Sequence, residues 1–261
     1  MRRRLVVALV AGALALTGCS PSSSGGSPAA TGGSSTAAKT LTVFAAASLK
    51  PTFTELGTMF EKSHPGVTVT FNFAGSQTLA EQITQGAPAD VFAAANEATM
   101  KTVTDAGLNA GEPTIFATNQ LAIAVPPDNP ASIKGWDDLT KPGLKLVVCA
   151  PEVPCGAATV KIEKATGTTL KPVSEEQSVT DVLGKVQAGE ADAGLVYQTD
   201  VIAAGDTVKG IDFEQSAEAI NSNPIVTLTS GPQPALGQQF VDLVLSDQGQ
   251  QVLSAAGFGK A

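Results

Sequence analysis

The stretch VFAAASL, residues 43–49, carries the pattern that decides the fold. Its first residues open an apolar run that favours a short buried strand, and from Phe53 to Phe60 apolar residues recur at helical spacing. Ser48 lies where a helix N-cap is expected, and Pro51 falls in the first helical turn, where the missing N–H of proline costs little. The stretch therefore predicts a strand that runs directly into a helix.

Such a junction can bind an anion, because a helix N-terminus has unpaired N–H groups and a partial positive charge. The alternative for a single junction is an ordinary capped helix without a ligand. The chain predicts three more junctions of the same kind, at Ser76, at the loop 149–156 and at Ser178. At the second junction Thr78, three residues before Glu81, is a rival N-cap because the pair fits a capping box.

Residues 1–18 are predicted to be a lipoprotein signal peptide. Three arginines precede the apolar run Leu5–Leu16, which is too short for a permanent membrane span. The run ends in Leu-Thr-Gly-Cys19, which resembles a bacterial lipobox and implies lipidation of Cys19; a plain signal peptide with a chance cysteine is the alternative. Residues 19–39 are predicted to be the lipidated cysteine and a disordered tether, rich in Ser, Gly, Ala, Pro and Thr.

The charge of the chain argues against nucleic acid as a partner. Loss of the three signal-peptide arginines lowers the net charge from −8 to −11, and the chain has no polybasic run. An anionic ligand would gain nothing from long-range attraction. It would have to be held by local dipoles.

The cysteines and the single histidine limit the chemistry further. Cys149 and Cys155 of an exported protein favour a disulfide, with two free thiols as the alternative. A zinc site has little support, because the spacing is not C-x-x-C and His64 is the only histidine. Neither Ser48 nor Ser76 lies in a G-x-S-x-G motif, and a single histidine in a predicted turn gives little support to a Ser-His-Asp centre. We therefore expect no enzyme activity.

Alternating strands and helices predict two lobes of similar plan. Residues 85–91 and 188–193 show the same order, in which a predicted helix ends at a glycine and an Ala-Asp pair precedes a predicted strand. We expect the first lobe to comprise 40–120 and 225–261, and the second 121–224. Ligands of open α/β sheets bind beyond the carboxyl ends of the strands. The segments Leu121–Val125 and Pro224–Thr229 are predicted to cross between the lobes, and two final helices, Ala235–Ser246 and Asp247–Phe258, are predicted to return to the first lobe.

Together the motifs TVFAAASL, FAGSQTLAEQI, GAPADVF, PEVPCG and GLVY resemble those of periplasmic molybdate-binding proteins, the solute receptors of molybdate ABC transporters. The resemblance covers nearly all of Thr40–Ala261. It implies an α/β, two-lobed type II periplasmic binding fold with hinge strands between the lobes, and molybdate or tungstate as ligand without a cofactor. It also implies a permease and an ATPase as partners. We expect a monomer, which the predicted lipid on Cys19 would hold to the extracytoplasmic face of the cell membrane.

The same resemblance implies the residues that contact the anion. Hydroxyl and N–H groups come from Ser48 and Ser76 of the first lobe, and N–H groups of Cys155 and Val179 and the hydroxyl of Tyr197 come from the second. This chain differs from typical members in having a cysteine at position 155. Phosphate, which keeps a proton near neutral pH, would lack a carboxylate acceptor in these motifs, whereas sulfate would have to be rejected by size. A receptor for another oxyanion such as sulfate is therefore the alternative, and a surface lipoprotein without a ligand is a third reading.

Overall fold

The computed structural model describes residues 39–261. The predicted signal peptide, Cys19 and the tether up to residue 38 lie outside the described residues. Two sheets flanked by helices form the described part, so the predicted α/β class is confirmed. None of the helices in this part is long and apolar enough to cross a membrane.

Five strands form each sheet. The first sheet has the order β2-β1-β3-β10-β4 and the second β7-β6-β8-β5-β9. The strands are β1 (Lys39–Ala46), β2 (Val67–Ala74), β3 (Val91–Ala93), β4 (Thr114–Asn119), β5 (Leu121–Val125), β6 (Leu146–Cys149), β7 (Ser174–Glu176), β8 (Ala193–Tyr197), β9 (Lys209–Ile211) and β10 (Asn221–Thr227). The helices are α1 (Lys50–Ser63), α2 (Ser76–Thr84), α3 (Glu97–Asp105), α4 (Pro154–Thr166), α5 (Val179–Gln187), α6 (Gln198–Ala204), α7 (Pro234–Leu245) and α8 (Asp247–Ala255).

The two sheets share one plan. In the first, β1 pairs in parallel with β2 and β3, and β10 runs antiparallel to β3 and β4. In the second, β6 pairs in parallel with β7 and β8, and β5 runs antiparallel to β8 and β9. The parallel strands of each sheet therefore end at the same edge. The helices that follow these strands begin at that edge.

Each sheet has its own apolar core, and we call the first sheet with its helices the first lobe and the second sheet with its helices the second lobe. In the first lobe Phe53 and Phe60 of α1 are fully buried, and their rings lie 5.9 and 5.5 Å from that of Phe240 on α7. Leu253 of α8 belongs to the same core. The predicted return of the last two helices to this lobe is therefore confirmed.

The strands predicted to cross between the lobes do not cross. Strand β5 lies wholly in the second sheet and β10 wholly in the first, because each pairs with partners on both sides within its sheet. The chain crosses instead at Gln120, between β4 and β5, and just before Asn221. The prediction that residues 221–224 belong to the second lobe was wrong, because they already pair with β4 of the first sheet.

The two Ala-Asp repeats have the same structural role. The carboxylate of Asp90 accepts hydrogen bonds from the N–H groups of Thr42, at 2.8 Å, and Gln233, at 2.6 Å. The carboxylate of Asp192 accepts one from the N–H of Lys145, at 2.8 Å. In each lobe an aspartate thus ties the start of one parallel strand to the backbone at its neighbour.

Replacement of Asp90 tests this role. Asp90→Ala removes a fully buried carboxylate and leaves the part-buried N–H groups of Thr42 and Gln233 without their partner, at about 1–3 kcal/mol each. We expect the free energy of unfolding, measured by urea denaturation, to fall by about 2–5 kcal/mol. Asp192→Ala is the matched control: it removes one bond from a more exposed site, so its effect should be clearly smaller, and equal effects would contradict the role.

Candidate functional site

One cavity lies between the lobes at the edge where the parallel strands end. All five residues that the sequence predicted to contact an anion line it: Ser48, Ser76, Cys155, Val179 and Tyr197. The remaining lining residues are small or apolar and comprise Ala46, Ala47, Gly75, Ala95, Val153 and Pro154. The cavity has a volume of about 10 Å³, so the site fits a compact group better than a large organic molecule.

Ser48 is buried in this cavity with an unsatisfied hydroxyl. It lies in a 3₁₀ turn, Ala47–Leu49, between β1 and α1, and its Oγ has no hydrogen-bond partner in the described structure. An unpaired buried polar group costs about 1–3 kcal/mol, which a ligand oxygen would offset. The prediction that Ser48 is the N-cap of α1 was wrong, because the tight turn moves the helix start on to Lys50.

Ser76 presents its hydroxyl proton to the cavity. It is the first residue of α2, and its Oγ accepts a hydrogen bond from the N–H of Ala95 at 3.0 Å. The oxygen is thus engaged as an acceptor, and the proton remains available for a ligand.

The N-cap of α2 is Gly75, without a side-chain cap, so neither Ser76 nor the rival Thr78 caps the helix. A Cβ on Gly75 would lie 2.2 Å from the carbonyl oxygen of Gln177 in the second lobe. A serine cap one residue earlier would therefore collide with the opposite lobe.

Helix α4 begins earlier than predicted and brings Cys155 into its first turn. The loop predicted over residues 149–156 was too long, because Val153 is still extended and Pro154 occupies the first turn, a position that proline favours. A disulfide joins Cys155 to Cys149, with Cα atoms 5.7 Å apart. The disulfide ties the first turn of α4 to the end of β6.

Gly156, the next residue of α4, lies against the backbone of the preceding loop. A Cβ there would meet the carbonyl oxygen of Ala150 at 1.9 Å. Only glycine allows the helix start to lie this close to the end of β6.

Ser178 is the N-cap of α5, as predicted, because its Oγ accepts a hydrogen bond from the N–H of Asp181. Val179 is the first residue of this helix. First-turn N–H groups have no carbonyl partner within the helix, so those of Ser76, Cys155 and Val179 are available to a ligand.

Tyr197 ends β8 and is the only tyrosine of the chain. The side-chain amide of Asn221 donates a hydrogen bond to its hydroxyl oxygen at 2.6 Å. Burial raises the pKa of the Tyr197 hydroxyl, and the nearby Asp200 raises it further, so the group stays protonated. Sequence reasoning missed Asn221, since nothing in its spacing distinguishes an asparagine at a chain crossing from one in a surface turn.

Among the described residues, none with a charged side chain lines the cavity. The lining has hydroxyl and N–H groups but no Lys, Arg, Asp, Glu or His from residues 39–261. Within residues 39–261 no group of His, Cys, Asp and Glu side chains could hold a metal ion. The hydroxyl and N–H groups of the cavity can donate hydrogen bonds to a small anion, and the dipoles of several helix N-termini add to the attraction.

The lobes are in contact around the cavity. The side-chain amide of Gln77 in α2 donates to the carbonyl oxygen of Gln177 in the second lobe, at 2.9 Å. Near the crossing, the amide of Asn119 donates to the hydroxyl of Thr199 at 2.8 Å. The structure is therefore that of a closed cleft.

Known proteins resemble this chain over most of its length. Residues 41–259 match the family described as bacterial extracellular solute-binding protein. The molybdate-binding protein ModA of Mycobacterium tuberculosis (strain ATCC 25618 / H37Rv) is 50% identical over 252 residues, covering 97% of this chain and 94% of that protein. ModA of Escherichia coli (strain K12) is 30% identical over 232 residues, covering 84% and 88%.

Solved structures share the fold. The periplasmic molybdate-binding protein of Azotobacter vinelandii superposes with a TM-score of 0.75 at 21% identity, covering 85% of this chain and 99% of that one. The sulfate-binding protein SubI of Mycobacterium tuberculosis H37Rv gives a TM-score of 0.71 at 20% identity, covering 85% and 87%. At these identities the likeness is one of fold, and it matches the predicted two-lobed type II periplasmic binding architecture.

Asp200, beside the site, should make stability depend on pH. Its buried carboxylate accepts the N–H of Tyr197 at 2.9 Å, and burial raises its pKa from 3.8 to about 7 despite that bond. A raised acid pKa means that the folded state binds the proton more tightly than the unfolded state. Protonation of Asp200 therefore stabilises the folded state fully below about pH 4, and this stabilisation is lost as the pH rises to about 7.

We expect Asp200→Asn to gain stability relative to the wild type as pH rises through this window. Urea denaturation at several pH values measures the difference. Asp206→Asn removes an exposed carboxylate just after the same helix. It shows how much of the change in stability comes from the loss of one negative charge and how much from the burial of Asp200. A difference between Asp200→Asn and the wild type that stays constant with pH would contradict the raised pKa.

Proposed function

Because the chain belongs to the family of bacterial extracellular solute-binding proteins, we propose that it captures molybdate in the cavity between its lobes and delivers it to an ABC transporter. The family is one of solute receptors and not of enzymes. The observation that carries the proposal is the uncharged cavity lined by hydroxyl and first-turn N–H groups from both lobes. The close relatives named for molybdate binding support the same ligand.

The proposed contacts to molybdate come from the five predicted residues. Ser48 and Ser76 provide a hydroxyl and an N–H each, Cys155 and Val179 provide their N–H groups, and Tyr197 provides its hydroxyl. All of these are donors, which suits the oxygens of a fully deprotonated dianion. The metal atom of the oxyanion would have no direct protein ligand.

The same hydrogen-bond donors could bind two further anions. Tungstate has the same charge and tetrahedral shape as molybdate, so we propose it as an alternative ligand. Sulfate also lacks a proton near neutral pH, and the structural likeness to a sulfate-binding protein makes a sulfate receptor the second candidate. The size of the cavity would have to separate sulfate from the larger anions.

The partners and the location belong to the same proposal. A permease and an ATPase would receive the anion when the lobes open about the crossings at Gln120 and before Asn221, as in hinge motions of binding proteins. The first lobe would comprise residues 40–119 with 221–261, and the second 121–220. We propose that the receptor acts as a monomer, held to the extracytoplasmic face of the cell membrane by lipid on Cys19 and a tether that ends at residue 38, since Lys39 already belongs to β1.

Calorimetric titration with molybdate, tungstate, sulfate and phosphate tests the function. We expect tight binding of molybdate and tungstate and much weaker binding of phosphate, because no carboxylate lines the cavity to accept a hydrogen bond from the protonated oxygen. Tight sulfate binding would favour the second candidate. No heat with any of the four anions would contradict the proposal.

Serine variants test the site within the same titration. Ser48→Ala and Ser76→Ala each remove one hydrogen bond to a charged ligand, so molybdate affinity should fall about 10- to 100-fold in each. Tyr197→Phe should weaken binding less. Ser216→Ala is the matched control: Ser216 is as buried as Ser48, at 5% exposure, but its hydroxyl donates to Phe213 away from the cavity. Unchanged affinity in both cavity variants would contradict the site.

A variant at Cys19 tests the anchor. The wild-type protein expressed in a bacterium should fractionate with membranes and enter the detergent phase, because lipid on Cys19 holds it there. Cys19→Ala should release it in soluble form, as judged by immunoblotting of the fractions. Cys149→Ala, which leaves the lipobox intact, should stay with the membranes, and equal release of both variants would contradict lipidation at Cys19.

A further inference from the structure

Two asparagines lie side by side where the chain crosses between the lobes. Asn119 ends β4 and Asn221 begins β10, and they are partners in the antiparallel register. Each is 5% exposed. Each donates its side-chain amide to a hydroxyl of the second lobe, Asn119 to Thr199 at 2.8 Å and Asn221 to Tyr197 at 2.6 Å. Of these two hydroxyl residues, only Tyr197 lines the cavity.

The direction of the bond to Tyr197 follows from its surroundings. The NH₂ group of Asn221 also lies 3.5 Å from the carbonyl oxygen of Pro154, which can only accept. An amide oxygen turned to this side would face that carbonyl, so the NH₂ group belongs here. The phenol oxygen of Tyr197 is therefore an acceptor, and its one proton is left for the cavity.

The hydroxyl of Ser76 is set in the same direction by different means. The backbone N–H of Ala95 donates to its oxygen at 3.0 Å, and a backbone N–H can never accept. Two of the three cavity hydroxyls thus have an oxygen engaged by a donor of the protein. These two hydroxyls are therefore set to donate their protons to a ligand, and no carboxylate lines the cavity to accept one.

We propose that Asn221 is a positioning residue that holds Tyr197 as a hydrogen-bond donor to the anion, so that the site favours oxyanions without a proton over those that carry one. This inference rests on the proposed function and gives a physical basis for its selectivity. Asn221 acts through Tyr197 and does not itself line the cavity.

Three variants at this position and its partner test the role by calorimetry with molybdate and phosphate. Asn221→Ala frees the phenol to rotate, and we expect molybdate affinity to fall about 2- to 10-fold. Asn221→Asp places an acceptor against the phenol, so Tyr197 turns its proton to the carboxylate. Molybdate affinity should then fall about 10- to 100-fold, while phosphate affinity falls less or rises. Asn119→Asp, the matched control at the same crossing, should leave the ratio of the two affinities unchanged.

A double-mutant cycle separates positioning from a structural effect on the crossing. In a Tyr197→Phe background the phenol is absent, so Asn221→Ala should weaken molybdate binding no further. If the two losses multiply instead, Asn221 acts through the fold and the positioning role is overturned.

Raman spectroscopy reports the bond without any ligand, since Tyr197 is the only tyrosine. The intensity ratio of the tyrosine ring doublet distinguishes a phenol that accepts from one that donates. We expect this ratio to change in Asn221→Asp and to stay as in the wild type in Asn119→Asp. An unchanged ratio in Asn221→Asp overturns the positioning role, whether or not the wild type binds molybdate. A changed ratio in a protein that binds none of the anions overturns the proposed function and the selectivity with it.

Discussion

An anion in this cavity would have to be stabilised without a single cation, and the architecture follows from that constraint. A buried charge is very unfavourable unless hydrogen bonds replace its water. The chain provides them through the first turns of helices that follow parallel strands, where N–H groups have no carbonyl partner. Because the strands of both sheets end at the same cleft, Ser48 and Ser76 meet Cys155, Val179 and Tyr197 from the opposite lobe.

Such donors help only if they are held in place before the ligand arrives, and several features of the structure hold them. The disulfide and Gly156 hold the first turn of α4 against the end of β6. Gly75 lets α2 approach Gln177 across the cleft. Ala95 and Asn221 then set the direction of the hydroxyls of Ser76 and Tyr197.

Much of this could be predicted from sequence because it rests on local patterns. Strand-to-helix periodicity placed the four junctions, including the one at Ser178, and the Ala-Asp repeat identified two lobes of like plan. The motifs that resemble molybdate-binding proteins named five of the residues that line the cavity. Features set by tertiary contact could not be predicted. The 3₁₀ turn at Ser48, the glycine cap before Ser76, the pairing of residues 221–224 in the first sheet and the bond from Asn221 all depend on distant neighbours.

The dependence of molybdate affinity on ionic strength tests the claim of neutral donors most directly. Titrations from about 0.01 M to about 1 M salt change the screening of exposed charges from weak to nearly complete. If uncharged groups hold the anion in a protein of negative net charge, the dissociation constant should stay level or fall slightly as salt is added. A steep rise of the dissociation constant with salt would show that Lys or Arg side chains hold the anion, and would contradict the account.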